Sequence, residues 1–199
     1  VNTLRGADAD VILLQEINGS TRLVVEQLRA AYPFTVDCSL GGARHAPGIL
    51  SRLPITDGSA ACWPELLAAK ASVRFGDKKV TLVNVHLTWP WPQKQWRHIE
   101  QLGGNVFQPA DHLVIAGYFN ASPWSNAMQQ IEQLSGARLT RSVCHTWLPR
   151  MAGWDVAPPA ILTLDHTLVS DGLKVVARQK LGDIGSDHLP IMTEIAPIN

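Results

Sequence analysis

The chain has few cysteines, and they are widely spaced. Its 199 residues include only Cys38, Cys62 and Cys144, too few and too far apart for a disulfide framework. No C-x-x-C pair is present, which excludes the common kinds of structural zinc site. We expect these cysteines to be small buried hydrophobic residues, with one disulfide bridge as the alternative.

The chain also lacks a charge excess of either sign. Lys and Arg number 17, as do Asp and Glu, so the formal net charge is zero and the isoelectric point is near 7.2. Tight nonspecific binding to nucleic acid usually requires a basic surface. The balance therefore argues against a dedicated DNA-binding protein, but it is compatible with a small or lipid-like phosphoester.

Long apolar segments and targeting signals are absent as well. No run of about 18 apolar residues predicts a membrane span, and no signal peptide is recognisable. The chain begins with Val1 and not Met, which suggests a processed or trimmed domain. With 46% hydrophobic and 17% charged residues, the composition is that of a globular protein. The length suits one domain, 1–199, that buries roughly 70% of the surface of its unfolded form.

Several motifs of other enzyme classes are missing. There is no Gly-x-Ser-x-Gly nucleophile elbow for a serine hydrolase, and the glycines at 41–42 lack the spacing of a phosphate-binding loop. The His98-Ile99-Glu100 sequence is not followed by the paired cysteines of a zinc deaminase. These classes are therefore set aside.

Apolar runs that end in polar residues are the main positive signal. Each run has the length of a strand, and each delivers an acid, an imidazole or an amide at its end. Charged groups rarely lie beside such runs unless they are paired or bind metal. The runs are 11–16, 82–87, 113–120, 162–166 and 185–191. We expect them to bring their polar ends together in one site.

Periodicity and turn residues predict the remaining elements. Gly76-Asp77 predicts a hairpin, Ser170-Asp171-Gly172 a turn, and the glycine-rich segment 41–48 a loop. The predicted helices are 21–31, capped by Ser20 or Thr21 and ended by Pro33, then 93–106, and one beginning near Trp124-Ser125. The predicted strands are 70–75, 79–87, 113–118, 161–169, 174–180 and 189–195.

Trp89 and Trp91 follow His86 in a proline-rich segment that interrupts regular structure. One interpretation is a loop that packs against the protein. The other is an aromatic rim around a substrate. The sequence favours neither.

Six segments in this order resemble the endonuclease/exonuclease/phosphatase superfamily, which includes DNase I-like nucleases, sphingomyelinases and inositol-polyphosphate phosphatases. They are 7–16 (ADADVILLQE), 48–55 (GILSRLPI), 83–87 (VNVHL), 116–121 (AGYFNA), 164–170 (LDHTLVS) and 186–190 (SDHLP). The resemblance implies an α/β (α+β) fold, a four-layer DNase I-like sandwich of two packed mixed β-sheets flanked by helices.

The resemblance also implies a Mg²⁺-dependent phosphoester hydrolase, with Mn²⁺ as the alternative ion. Glu16 would bind the metal and Asp187 would lie near it. His188 would contact the scissile phosphate, oriented by Asp165. Similarity further implies that His86 and Asn120 donate hydrogen bonds to phosphate oxygens, and that water is the nucleophile.

Two departures from the family pattern weaken this prediction. The family's fourth motif reads Gly-Asp-Phe-Asn, whereas this chain has Tyr118 in place of the aspartate that orients or deprotonates water. A phenol is a poor base at neutral pH, so the replacement costs about 10²–10⁴ in rate if the aspartate is the general base. The family's first strand, which carries a metal-site asparagine, is missing, and Asn2 does not replace it.

Two functional hypotheses remain. One is a weakened hydrolase; the other is a catalytically inactive phosphate-binding or protein-interaction module on the same fold. The substrate is undecided between a small molecule, a lipid head group and nucleic acid, and a monomer is expected. The segments 119–125 and 145–149 resemble a bacterial branch in which the domain follows membrane helices, which implies a tethered extracytoplasmic domain, with a cytoplasmic location as the alternative.

Overall fold

A computed structural model of the chain describes residues 1–19, 21–40, 42–140, 145–148 and 162–198. The α-helices in these ranges are α1 (Asn2–Gly6), α2 (Arg22–Leu28), α3 (Gln95–Asn105) and α4 (Asn126–Ser135). The strands are β1 (Val11–Ile17), β2 (Phe34–Asp37), β3 (Ala46–Ser51), β4 (Ala61–Trp63), β5 (Ala68–Phe75), β6 (Lys78–His86), β7 (Leu113–Tyr118), β8 (Arg138–Leu139), β9 (Asp165–Val169), β10 (Leu173–Lys180) and β11 (Ile191–Pro197).

The largest sheet has six strands in the order β4-β5-β6-β7-β9-β8. It is mixed, since β6 and β7 run parallel while β5 and β9 pair antiparallel on either side of them. One face is covered by α3 and α4, whose Leu102, Met128 and Ile131 pack with Val85 and Ile115 of the sheet in one fully buried cluster. This face holds the larger part of the core.

The opposite face is covered by two smaller antiparallel sheets, β1-β3-β2 and β10-β11. Ile49 of the first and Ile195 of the second both pack with Val73, Leu82 and Val114 of the large sheet. Helices α1 and α2 then cover the outer face of the three-stranded sheet through Leu4, Val25 and Leu28. The result is a four-layer arrangement in which the smaller layer is divided into two sheets, and the α/β sandwich is confirmed.

Most of the predicted elements are present, with shifted ends. The hairpin around Gly76-Asp77, the strand at 113–118 and the helix after Ser125 are confirmed, and the Ser125 hydroxyl accepts a hydrogen bond from the Met128 amide as a helix cap. Helix α2 stops at Leu28, three residues before the predicted end. Of the strand predicted at 161–169, β9 forms only from Asp165, and residue 161 lies outside the described residues.

The loop prediction for 41–48 is wrong at its end, because β3 begins at Ala46 and contains Gly48. A Cβ atom on Gly48 would lie 2.5 Å from Ile17 Cδ1 and 3.3 Å from the Val36 carbonyl oxygen. Glycine therefore permits close approach of β1, β2 and β3, and does not interrupt the strand.

Strands β1 and β11 each have one partner strand among the described residues. Asn2 lies in α1 and not in a strand, and in the part of the chain that the structure describes β1 pairs with β3 alone, at an edge of its sheet. Over the same described residues, β11 pairs with β10 alone. Within the described residues, no helix is both long enough and apolar enough to cross a membrane.

Cys38 and Cys62 form a disulfide, the alternative left open by the sequence. Their Cα atoms are 5.5 Å apart, and the bridge joins the segment after β2 to β4 in the large sheet. Cys38 is buried, as expected for a small hydrophobic residue, but Cys62 is exposed. Cys144 lies outside the described residues.

Reduction of this bridge is expected to lower the free energy of unfolding by about 2–4 kcal/mol, because the cross-link restricts the unfolded chain. Urea denaturation with and without reductant measures the change. The double variant Cys38→Ser, Cys62→Ser is the control and should be insensitive to reductant. Finding three free thiols in the denatured, unreduced protein would contradict the pairing.

Candidate active site

Three neighbouring strands of the large sheet place His86, Tyr118 and Asp165 in one row. Tyr118 pairs with His86 across the parallel β6-β7 ladder and with Asp165 across the antiparallel β7-β9 ladder. Gly117, next to Tyr118, has φ +144°, and a Cβ there would collide with the Val85 carbonyl oxygen. The close contact between β6 and β7 therefore depends on glycine at this position.

Tyr118 lies between two histidines. Its ring stacks on His86 with 4.9 Å between centroids and packs at a tilt against His188 at 4.1 Å. Only 8% of Tyr118 is exposed. The phenol that replaces the family aspartate thus fills the centre of the residue group.

Asp165 and His188 form the strongest polar contact of the group. His188 Nδ1 donates to Asp165 Oδ2 at 2.7 Å. Thr146, a buried residue that sequence reasoning missed, accepts hydrogen bonds from the Leu164 and Asp165 amides through Oγ1 at 3.1 and 3.3 Å. The backbones of Trp147 and His188 pair in an isolated antiparallel β-bridge. The segment 145–148 thereby fixes both members of the pair.

The positively charged imidazolium form of His188 is favoured, although the ring is largely buried. Desolvation disfavours the imidazolium, but the hydrogen bond and negative charge of Asp165, together with Asp187 and Glu16, outweigh it and raise the pKa of His188 above its ordinary value. Since Nδ1 is occupied by Asp165, Nε2 remains to act on a ligand.

Glu16 lies at the end of β1, where the strand becomes irregular and the residue takes φ +55°. Its Oε1 is 3.6 Å from His86 Nε2, and its Oε2 is 3.8 Å from His45 Nδ1. His45 lies in the glycine-rich segment just before β3. The structure brings it to the Glu16 carboxylate.

His86 is neutral at physiological pH. Burial, followed by the positive charges of His45, His188 and His98, lowers the pKa of His86 to about 4. Its contact with Glu16 is therefore between a carboxylate and an uncharged ring. Because the unfolded ring protonates near pH 6.5, the stability that this burial confers is lost as the pH falls from there towards 4.

Tyr118 is held in its protonated form. Burial raises the pKa of the phenol, and the negative charges of Asp165, Asp187 and Glu16 raise it further, whereas Asn120 partly opposes the change. The environment that favours the charged form of His188 thus disfavours the charged form of its neighbour. At neutral pH the phenol cannot accept a proton.

Asn120 is positioned by the protein backbone. Its Nδ2 donates to the Leu87 carbonyl at 2.7 Å, and its buried Oδ1 has no hydrogen-bond partner among the described residues. Gln95, at the start of α3, donates to the carbonyls of Phe119 and Asn120 at 3.0 and 3.3 Å. No sequence pattern distinguished Gln95 from other polar helix residues.

The acids of the group suit a hydrated ion. Within the described residues, no three His, Cys, Asp or Glu side chains are arranged to hold a metal by themselves. Mg²⁺ keeps several waters and takes one or two carboxylates plus phosphate oxygens. The Glu16 side chain is 49% exposed, and both of its oxygens are more than 3.5 Å from the nearest imidazole nitrogens. The lone pairs of the Glu16 carboxylate are available for such an ion. Asp187 lies close enough to His188 for its negative charge to raise the pKa of the imidazole.

Exposed tryptophans lie in the two loops that follow the parallel strands β6 and β7. Trp91 is 85% exposed and Trp124 is 79% exposed, whereas Trp89 is 46% exposed. The Trp91 side chain therefore does not pack against the protein, although Thr88 of the same loop bonds to Gln95 and His98 of α3. Both loops begin at the end of the sheet where His86 and Tyr118 lie.

Residues 1–188 match the sequence model of the "Endonuclease/Exonuclease/phosphatase family". The chain belongs to this family. Its members are phosphoester hydrolases. A search of curated proteins found no match.

Solved structures confirm the fold. D. rerio TDP2 complexed with single-strand DNA product has a TM-score of 0.73 and 17% identity, covering 98% of this chain and 89% of that one. Sphingomyelinase C from Streptomyces griseocarneus has a TM-score of 0.59 and 15% identity, covering 99% and 91%. A Staphylococcus aureus beta toxin mutant with bound magnesium ions has a TM-score of 0.60 and 14% identity, covering 92% and 86%.

Asp165→Asn is expected to lower the pKa of His188, because the substitution removes the charge that opposes desolvation. Histidine titration by NMR measures the change. In the unsubstituted protein, the stability from this pair is present below pH 6.5 and is lost as the pH rises through the raised pKa.

Asp171→Asn is the matched control, since Asp171 is an exposed acid that contacts Arg138. It should leave the His188 titration unchanged. If Asp165→Asn leaves the pKa of His188 where it was, the pair does not stabilise the imidazolium.

Proposed function

We propose that the chain is a phosphoester hydrolase that uses a bound divalent cation, Mg²⁺ or alternatively Mn²⁺, to assist attack of water on a phosphate. The observation that carries this proposal is the 2.7 Å Asp165–His188 contact, with Glu16 and Asp187 near enough to raise the pKa of the same imidazole. One positive ring close to several acids suits a site for both a phosphate anion and a cation. Membership of a hydrolase family supports the same conclusion.

His188 is proposed to contact the scissile phosphate through Nε2. Its raised pKa keeps it positively charged when an anionic substrate arrives, and the Asp165 hydrogen bond fixes the plane of the ring. Asp165 is a positioning residue in this scheme. Thr146 in turn fixes Asp165 through the backbone amide.

Glu16 is proposed to hold the cation, with Asp187 beside it. A bound divalent ion would neutralise charge that develops on the phosphoryl oxygens. His86, being neutral, adds no positive charge there but can donate a hydrogen bond to a phosphate oxygen. Asn120, whose Nδ2 donates to the Leu87 carbonyl, is proposed to donate to a phosphate oxygen as well.

Tyr118 is proposed to weaken catalysis. Water that attacks phosphorus must lose a proton, and a buried phenol with a raised pKa does not accept it at neutral pH. Nor can the phenol orient water through a carboxylate-like pair of acceptor oxygens. The rate then depends on cation and phosphate binding more than on base catalysis.

The second candidate is an inactive phosphate-binding or protein-interaction module. The specific observation in its favour is that Tyr118 fills the centre of the site, between His86 and His188. In that case the cation and phosphate would bind without turnover.

An extracytoplasmic location is proposed. Disulfides persist in oxidising compartments and are rare in the cytosol, so the Cys38–Cys62 bridge favours this location over the cytoplasmic alternative. The substrate class is undecided: it is a nucleic acid, a lipid head group or a small molecule. The exposed Trp91 and Trp124 suit a substrate with an apolar or aromatic part.

Tyr118→Asp is expected to raise the Mg²⁺-dependent hydrolysis of bis-p-nitrophenyl phosphate by about 10²–10⁴, because it restores a carboxylate base. The control Tyr118→Phe keeps the ring and should not increase the rate. If neither the natural protein nor Tyr118→Asp hydrolyses the substrate while both bind phosphate, the inactive module is correct.

Trp91→Ala and Trp124→Ala are expected to lower kcat/KM by about tenfold each if the rings border the substrate, given the size of typical aromatic contacts. Steady-state kinetics on a substrate with an aromatic leaving group measures this. Leu40→Ala is the control, since Leu40 is also exposed but lies before the glycine-rich loop. Unchanged kinetics in both tryptophan variants would exclude the aromatic rim.

A further inference from the structure

A cavity begins next to Glu16, beyond the end of the β1–β3 ladder. Its volume is about 350 Å³, within the range of pockets that hold small molecules. Ile17 and Asn18, which follow Glu16 in the chain, form part of its wall. His45, whose Nδ1 is 3.8 Å from Glu16 Oε2, forms another part. The cavity and the candidate active site therefore share a border.

One side of the cavity is positioned by the turn after β1. Thr21 Oγ1 accepts a hydrogen bond from the Asn18 amide at 2.7 Å and donates to the Glu16 carbonyl at 3.1 Å. The Arg22 amide in turn donates to the Asn18 carbonyl at 2.9 Å. These bonds tie the first residue of α2 to the backbone of Glu16, and Arg22 lines the cavity.

The other side of the cavity is the segment before β3. Ala46 pairs with Ile17, and because the ladder is antiparallel, the residues before Ala46 lie beside those that follow Ile17. The segment is held at its start by Ser39, which donates to Asp37 Oδ1 through its amide and its hydroxyl at 2.9 and 2.6 Å. Arg44 lines the cavity from this side.

Arg22 and Arg44 are both exposed arginines without an acidic partner. Within the ranges that the structure describes, neither side chain forms an ion pair or a hydrogen bond. By contrast, Arg29, Arg52 and Arg138 each contact a carboxylate. Two guanidinium groups on one cavity attract an anion, and their planar donors match pairs of phosphate oxygens.

We propose that this cavity binds a second phosphate group of the substrate, beside the phosphate that His188 contacts. The inference rests on the proposed function, because it takes the Glu16–His188 site as the position of the first phosphate. A zwitterionic phosphocholine has an ammonium group that two arginines would repel, whereas a further phosphate would be attracted. The selected chemistry is a phosphoester that carries a second phosphate, from a nucleotide or from another small molecule.

Calorimetric titration of thymidine 3′,5′-bisphosphate and of thymidine 5′-monophosphate, each with Mg²⁺, measures the effect of the second phosphate without requiring turnover. The bisphosphate should bind roughly tenfold more tightly, as expected for one additional hydrogen-bonded charge contact. Arg22→Gln and Arg44→Gln should each remove most of this advantage and leave the affinity for the monophosphate unchanged.

Arg74→Gln is the matched control. Arg74 is also exposed and has no side-chain partner in the described part of the chain. It lies opposite Lys79 in the β5–β6 ladder, away from the end of β6 that carries His86. Its replacement changes the net charge equally and should leave both affinities unchanged. An equal loss of bisphosphate binding in Arg74→Gln would show that only the net charge matters, and would overturn the proposal.

The two titrations also separate failure of this inference from failure of the proposed function. If the monophosphate does not bind to the natural protein, both are wrong. If the monophosphate binds but the bisphosphate binds no more tightly, the second-phosphate site alone is wrong. Phosphocholine that binds as tightly as the bisphosphate would likewise contradict the site.

Fructose 1,6-bisphosphate, which has two phosphates and no base, distinguishes the two sources of the second phosphate. If it binds as tightly as the thymidine bisphosphate and loses affinity equally in Arg44→Gln, the phosphates alone are recognised. If only the thymidine bisphosphate shows the advantage, the substrate is a nucleotide. Either result supports a second phosphate in the cavity, whereas no effect of Arg44→Gln on either bisphosphate would contradict it.

Discussion

The parallel pairing of β6 with β7 is the constraint on which the candidate site depends. It aligns His86 with Tyr118, and the neighbouring antiparallel ladder adds Asp165 to the same row. The close approach of these two strands requires Gly117, which no side chain can replace without displacing Val85. The strand register thus fixes the relative positions of these three residues.

Burial and neighbouring charges then decide the charge of each group. His86 and Tyr118 are both neutral at physiological pH because desolvation dominates, whereas His188 stays charged because Asp165 bonds to it directly. One small region therefore contains a protonated ring, a neutral ring and a protonated phenol side by side. This combination provides no base at Tyr118.

Much of the site could be predicted from the sequence, because its residues follow apolar strands at their polar ends. The strands at 11–16 and 113–118 were recognisable from continuous apolar runs, and the order of the six motifs indicated the family. Local patterns did not reveal Thr146 or Gln95, since their roles arise from hydrogen bonds to backbone atoms of distant segments. The Cys38–Cys62 pairing and the strand at Gly48 were also missed or left open, because both depend on the approach of separate sheets and strands in space.

The central claim is that Glu16 and His188 belong to one site for a cation and a phosphate. Calorimetric titration of inorganic phosphate, with and without Mg²⁺, tests this most directly in the natural protein and in Glu16→Gln. The account predicts that Mg²⁺ tightens phosphate binding at least fivefold, a typical coupling between ligands, and that Glu16→Gln abolishes the gain. Phosphate binding that is equally strong without Mg²⁺ and in Glu16→Gln would contradict it.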